Sequence, residues 1–213
     1  YRNSINEDIN KSRIMQGKRV LANSEGTLFD LKLHSKKLFM AFQEAKVELN
    51  KALSLIPIQY RLGSTLAQLF QCFLAEKLDK YFPNNFYKGI NNRLILNING
   101  YIILFKKLNV KGYPMNIKTE TVDAIANQLL QISLFEYDGH EPIIYFGYEV
   151  NRVGEIVNPK IIYIDEDSIK FSLSEEQFSQ TTLKNKKVSN QQNKSEVSPK
   201  LKKKDTDDKS DVA

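Results

Sequence analysis

Seven polar and basic residues fall within one short stretch of this chain: Arg93, Lys106, Lys107, Asn116, Lys118, Thr119 and Gln128. Their types suit the recognition of an anion. Arginine and lysine bring positive charge, and asparagine and glutamine bring amide groups. A threonine ahead of a helix leaves the main-chain N–H groups of the first turn pointing toward the same region. No acidic residue occurs between Asp79 and Glu120, so residues 80–119 carry 7 basic groups and none acidic. Residues 120–179 reverse the balance, with 3 basic groups against 12 acidic ones. Such a division predicts a two-signed surface, suited to a charged partner as much as to nucleic acid. A phosphate, a carboxylate or an acidic segment of another protein would each satisfy the set. Tyr101, Phe105 and Tyr113 would add stacking faces for single-stranded nucleic acid. The competing reading, left open at this level, is that these residues cap elements and keep a sheet edge soluble.

Catalytic chemistry finds few candidates. No glycine-rich phosphate loop, HExxH or GxSxG is present. A metal-dependent nuclease hairpin needs carboxylates on its strands, and the acid-free stretch has none to offer. His140, with Asp138 and Glu141 nearby, has the neighbours of a general base but no nucleophile, and reads as an exposed loop histidine. Asp165-Glu166-Asp167 reads as a solvated turn rather than a cation site. Cys72, next to Phe73 on the apolar side of a helix, reads as a small buried hydrophobe. One cysteine and two histidines, His34 and His140, are too few for a protein-only zinc site. A single cysteine also forms no internal disulfide, which fits a reducing cytoplasm. There is no apolar run of membrane-spanning length and no signal-peptide pattern at the start. The expectation is a cytoplasmic protein with no metal, no cofactor and no enzymatic site, and an enzyme assembled from dispersed residues is the least favoured alternative.

The elements that would position the basic residues can be read from pattern. Residues 93–107, RLILNINGYIILFKK, hold two apolar runs around Asn99-Gly100, the dipeptide best suited to a type I′ turn. A two-residue loop sets Ile98 opposite Tyr101, Leu96 opposite Ile103 and Arg93 opposite Lys106, with Lys107 closing the hairpin. Upstream, Thr27 and Asp30 resemble an N-terminal cap, followed by a stripe of Leu31, Leu38, Phe42, Ala45, Leu49, Ala52 and Ile56 as far as Pro57. Leu62, Leu66, Leu69, Phe70, Phe73, Leu74 and Leu78 mark a second helix. The two predict an αα-hairpin whose stripe covers the sheet, with a dimer seam or partner groove as the alternative. Thr119 or Thr121 caps a short further helix bearing Val122, Ile125, Ala126 and Leu129, and strands follow at 143–150, 155–157, 160–164 and 168–173. The predicted class is therefore α+β: an αα-hairpin on a small, mostly antiparallel sheet of about five strands, with one further helix. Residues 27–179 form the single domain, with 27–83 helical and 93–174 carrying the sheet. Residues 1–26 read as a flexible lead-in and 180–213 as a disordered Lys-rich tail.

The runs RLILNINGYIILFKKLN, PMNIKTETVDAIANQL, PIIYFGYEVNRVGEIVNPKIIYID and IKFSL resemble an uncharacterised bacterial family. The likeness rests on Arg93, Phe105-Lys106-Lys107-Leu108, Pro114, Asn116, Thr119, Gln128-Leu129 and Gly147-Tyr148, over about residues 28–175. Tyr148 joins the candidate site on that basis. Members of that family are typically encoded beside an Xre-type helix-turn-helix regulator and an ImmA/IrrE-type metallopeptidase. The resemblance implies a toxin–antitoxin or phage-defence setting and a non-catalytic protein, an antitoxin or accessory partner, that binds the peptidase-type or regulator protein. The sequence-level expectation is thus an interaction protein with a protein partner. A nucleic-acid-binding module using residues 80–119 is the alternative.

Overall fold

The computed structural model describes residues 2–89, 92–130 and 139–180. In chain order these form α1 (Arg2–Met15), α2 (Ser24–Ser54), α3 (Gly63–Tyr81), β1 (Phe86–Lys88), β2 (Leu94–Ile98), β3 (Tyr101–Lys107), α4 (Glu120–Ala126), β4 (Ile143–Val150), β5 (Ile156–Asp165) and β6 (Ser168–Ser174). A 3-10 turn at Ile58–Tyr60, directly after Pro57, joins α2 to α3, and residues 175–180 turn helical after the last strand. The class is α+β, with one six-stranded sheet in the order β1-β2-β3-β4-β5-β6.

The β2–β3 hairpin forms in the expected register. Asn99 and Gly100 take φ of 48° and 78°, and Ile98 pairs with Tyr101, Asn97 with Ile102 and Leu96 with Ile103. All neighbouring strands are antiparallel except β3 and β4, which run parallel from Ile102↔Ile143 to Lys107↔Tyr148. A parallel pair needs a crossover, so the chain between them must cross one face of the sheet, and α4 lies on that path. The sheet has one strand more than expected because β1 is too short to show a period of its own. The runs at 155–157 and 160–164 form one strand, β5. Asn158, at φ 53°, and Pro159 interrupt its apolar pattern without ending its pairing.

Both faces of the sheet are covered, which explains why β3 reads as a nearly continuous apolar run. One face presents Leu94, Leu96, Ile103, Ile144, Phe146, Ile161 and Tyr163 to Leu31, Leu38, Phe42, Ala45 and Leu49 of α2 and to Phe70, Leu74 and Leu78 of α3. The α2 stripe is therefore core. The opposite face buries Ile95, Ile102, Leu104, Tyr145, Ile162 and Ile164 with Leu108 and Ile125, which come from the crossover.

Three local readings change. The N-terminal cap of α2 is Asn23, whose side chain accepts from the Gly26 N–H at 2.7 Å, while Thr27 lies buried one turn in. Asp165 is no solvated turn residue. It is 2% exposed and paired to the Arg13 guanidinium at 2.8 Å. Residues 2–22, read as flexible, form α1 and a strap docked on the sheet. Arg19 donates its N–H to Gln128 O at 2.7 Å, Val20 donates to His140 O, and the Arg19 guanidinium reaches Gly139 O and Glu141 O. No helix of the described residues is long and apolar enough to cross a membrane. The tail expected past Gln180 lies outside the described residues.

Candidate functional site

The open end of the β2–β3 hairpin presents its basic residues. Side chains alternate along a strand, so Arg93 and Lys106 share the face crossed by the α4 segment, while Phe105 and Lys107 share the face beneath α2 and α3. A cleft of about 510 Å³ opens where these layers part. Phe70, Gln71 and Leu74 of α3 form one wall, and Met115, Asn116 and Ile117 form the other. Tyr148, in register with Lys107, forms the floor. Its ring is set by aromatic contacts, 5.8 Å to Phe42 and 5.0 Å to Phe70 between centroids. Burial pushes the Tyr148 hydroxyl up to about 12, so it is a neutral phenol at physiological pH.

The electrostatics of the cleft are one-sided. Lys106 is partly buried and its pKa is lowered, first by that burial and second by the Arg93 guanidinium opposite it. Tyr145, raised by its own burial, feels the same guanidinium as a partial offset. Among the described residues no carboxylate lines the cleft, and none pairs with Arg93, Lys106 or Lys107. Like charges facing each other across a strand pair destabilise it unless something relieves them. An anion in the cleft would do so, and its charge would count for more there than on open surface because the site is partly desolvated.

Six of the eight residues proposed from sequence line this cleft: Arg93, Lys106, Lys107, Asn116, Thr119 and Tyr148. Thr119 is committed locally, since its hydroxyl accepts from the Val122 N–H as the cap of α4. Lys118 points elsewhere and lines a neighbouring cavity of about 160 Å³ beside Tyr113, Asp123 and Asp167. Gln128 is not a surface group. It is fully buried at φ 55°, donates to Ile143 O at 2.9 Å and Ile164 O at 2.8 Å, and accepts from Ile143 N at 2.9 Å. The amide side chain therefore ties the start of β4 to the end of β5. A glutamine beside Leu129 and Leu130 in the sequence gave no sign of that task. The α3 wall was missed as well, because Phe70 and Leu74 belong to a stripe that also reads as core.

A larger groove, about 890 Å³, lies between α3 and β1 and is lined by Gln68, Cys72, Glu76, Asp79, Lys88 and Asn92. Cys72 is thus exposed rather than buried. Both signs of charge line this groove, so the site is assigned to the smaller cleft, where charge is uncompensated. Among the described residues there is no group of three or more His, Cys, Asp or Glu placed to hold a metal ion.

Comparison of the chain with family models, with curated proteins and with solved structures finds no match. The resemblance drawn from the sequence therefore rests on its quoted residues alone.

Proposed function

We propose that this chain is a non-catalytic interaction protein that holds an anionic part of a protein partner in the cleft at the end of the hairpin. One observation carries the reading: Arg93, Lys106 and Lys107 line a partly buried cleft with no carboxylate among the described residues that line it. The lining offers charge, amides, hydroxyls and apolar surface, and no histidine, cysteine or carboxylate among the described residues. Arg93, Lys106, Lys107, Asn116 and Tyr148 are also among the residues on which the family resemblance rests. Within that resemblance the partner is a peptidase-type or regulator protein, and this chain is its antitoxin or accessory protein in the cytoplasm.

Nucleic acid is the weaker reading because its stacking faces are occupied. Tyr101 is 7% exposed, Tyr113 faces the neighbouring cavity, and the Phe105 ring packs on Phe146 at 5.6 Å. The test is affinity capture from host extract with the full chain and with its Lys106→Glu/Lys107→Glu variant. Each capture is run with and without nuclease, over a salt series. A stoichiometric protein that survives nuclease and is absent from the variant's catch is the expected result. A catch that disappears with nuclease as well as with salt would assign the cleft to nucleic acid instead.

A further inference from the structure

The walls of the cleft say more than its charge does. The run 116–118 between Met115 and Thr119 has no hydrogen bond to its main chain among the described residues. The residues at its two ends are tied down: Met115 donates its N–H to Lys107 O at 2.8 Å, and Thr119 O accepts from the Asp123 N–H at 2.9 Å. A short stretch of unpaired N–H and C=O groups is thus held along one side of the cleft by a fixed point at each end. Met115 and Ile117, at alternate positions, stay 53% and 87% exposed. Across from them the α3 side is closed by Phe70 and Leu74, both buried in the core, so the open apolar wall beside the cations is that of Met115 and Ile117.

We infer that the occupant of the cleft is an extended peptide segment carrying an acidic side chain next to a large apolar one, paired through its main chain to residues 116–118. This rests on the reading of the cleft as the binding surface and adds the chemistry of what binds. Strand addition of this kind takes affinity from main-chain hydrogen bonds and specificity from the side chains that alternate beside them. The carboxylate would meet the cations that line the cleft, while the apolar neighbour would lie against Met115 and Ile117. A bare phosphate would use the cations and leave both the unpaired backbone and the apolar wall without a role. A nucleic-acid strand would need an open ring face, and the rings of Phe105 and Tyr148 are packed against Phe146, Phe42 and Phe70.

The test is selection of a random peptide library on the full chain, with inorganic phosphate and a single-stranded oligonucleotide as competitors. Enriched peptides are expected to place Asp or Glu within two positions of Leu, Ile, Phe or Met. A synthetic peptide of that sequence should bind Lys106→Glu and Lys107→Glu on the order of tenfold more weakly per reversed charge. N-methylation of the set of alternate amides that faces residues 116–118 should abolish binding, while the outward-facing set should tolerate it. Three results would overturn the inference while keeping the cleft as an anion site: enrichment of acidic peptides without an apolar requirement, binding that tolerates N-methylation of each set of alternate amides in turn, or lysine-dependent binding of phosphate or oligonucleotide alone. If no peptide, phosphate or oligonucleotide binding depends on Lys106 and Lys107, the reading of the cleft falls with it.

Discussion

Lys106 and Gln128 illustrate opposite fates for residues that look alike in sequence. Lys106 is held against its own stability, since burial and Arg93 both lower its pKa from 10.5. In the unfolded chain it titrates near 10.5, so the penalty on the fold is complete below the lowered folded pKa. Its relief develops as pH rises from that value through 10.5. Lys106→Gln should therefore leave the thermal midpoint unchanged or higher while weakening partner binding. A fall in midpoint would mean that the lysine serves the fold. For the same reason, affinity for an anionic partner should decline at a pH below that of an ordinary lysine, and Lys106→Gln should flatten that decline. Gln128 serves the fold alone. Gln128→Ala removes partners from the Ile143 N–H and from two carbonyls, and should cost about 3 kcal/mol in urea unfolding. A loss below about 1 kcal/mol would show that solvent replaces the amide without penalty.

At the scale of elements, the hairpin was readable because its turn chemistry is local and its register follows from a two-residue loop. The helical pair was readable because Leu31, Leu38, Phe42, Ala45 and Leu49 repeat with the helix period. What escaped depends on single residues far apart in the chain. Arg13 and Asp165 pair across the fold, yet the helix around Arg13 has no apolar stripe to announce it. Arg13→Ala should strand a buried carboxylate and cost about 3–5 kcal/mol, measured by chemical denaturation. An unchanged midpoint would mean that α1 is not held to the sheet by that pair. The β3–β4 pair has a comparable constraint at Gly147, which lies opposite Lys106. A Cβ added to Gly147 would come within 2.6 Å of the Leu108 side chain, so Gly147→Ala should destabilise by about 1–3 kcal/mol. In a Leu108→Ala background the added loss should be smaller, and strict additivity of the two changes would contradict the crowding.

For the whole molecule, the sheet is a partition between two apolar layers, and the candidate site lies where they separate. Most of the site was present in the sequence as an acid-free window. The α3 wall and the removal of Lys118 and Gln128 from the set required three dimensions. Pairing in β3–β4 brings Tyr148 beside Lys107 although 40 residues separate them, and no local pattern encodes that parallel register. The central claim is that this cleft is where a partner binds, and it can be put to one titration. The protein captured from the host is titrated calorimetrically into the full chain and into Lys106→Glu/Lys107→Glu, with thermal melts confirming that both are folded. The expected result is a loss of affinity of about a hundredfold in the variant at an unchanged melting temperature. Equal affinity for the two folded proteins would place the partner elsewhere and remove the cleft from the function.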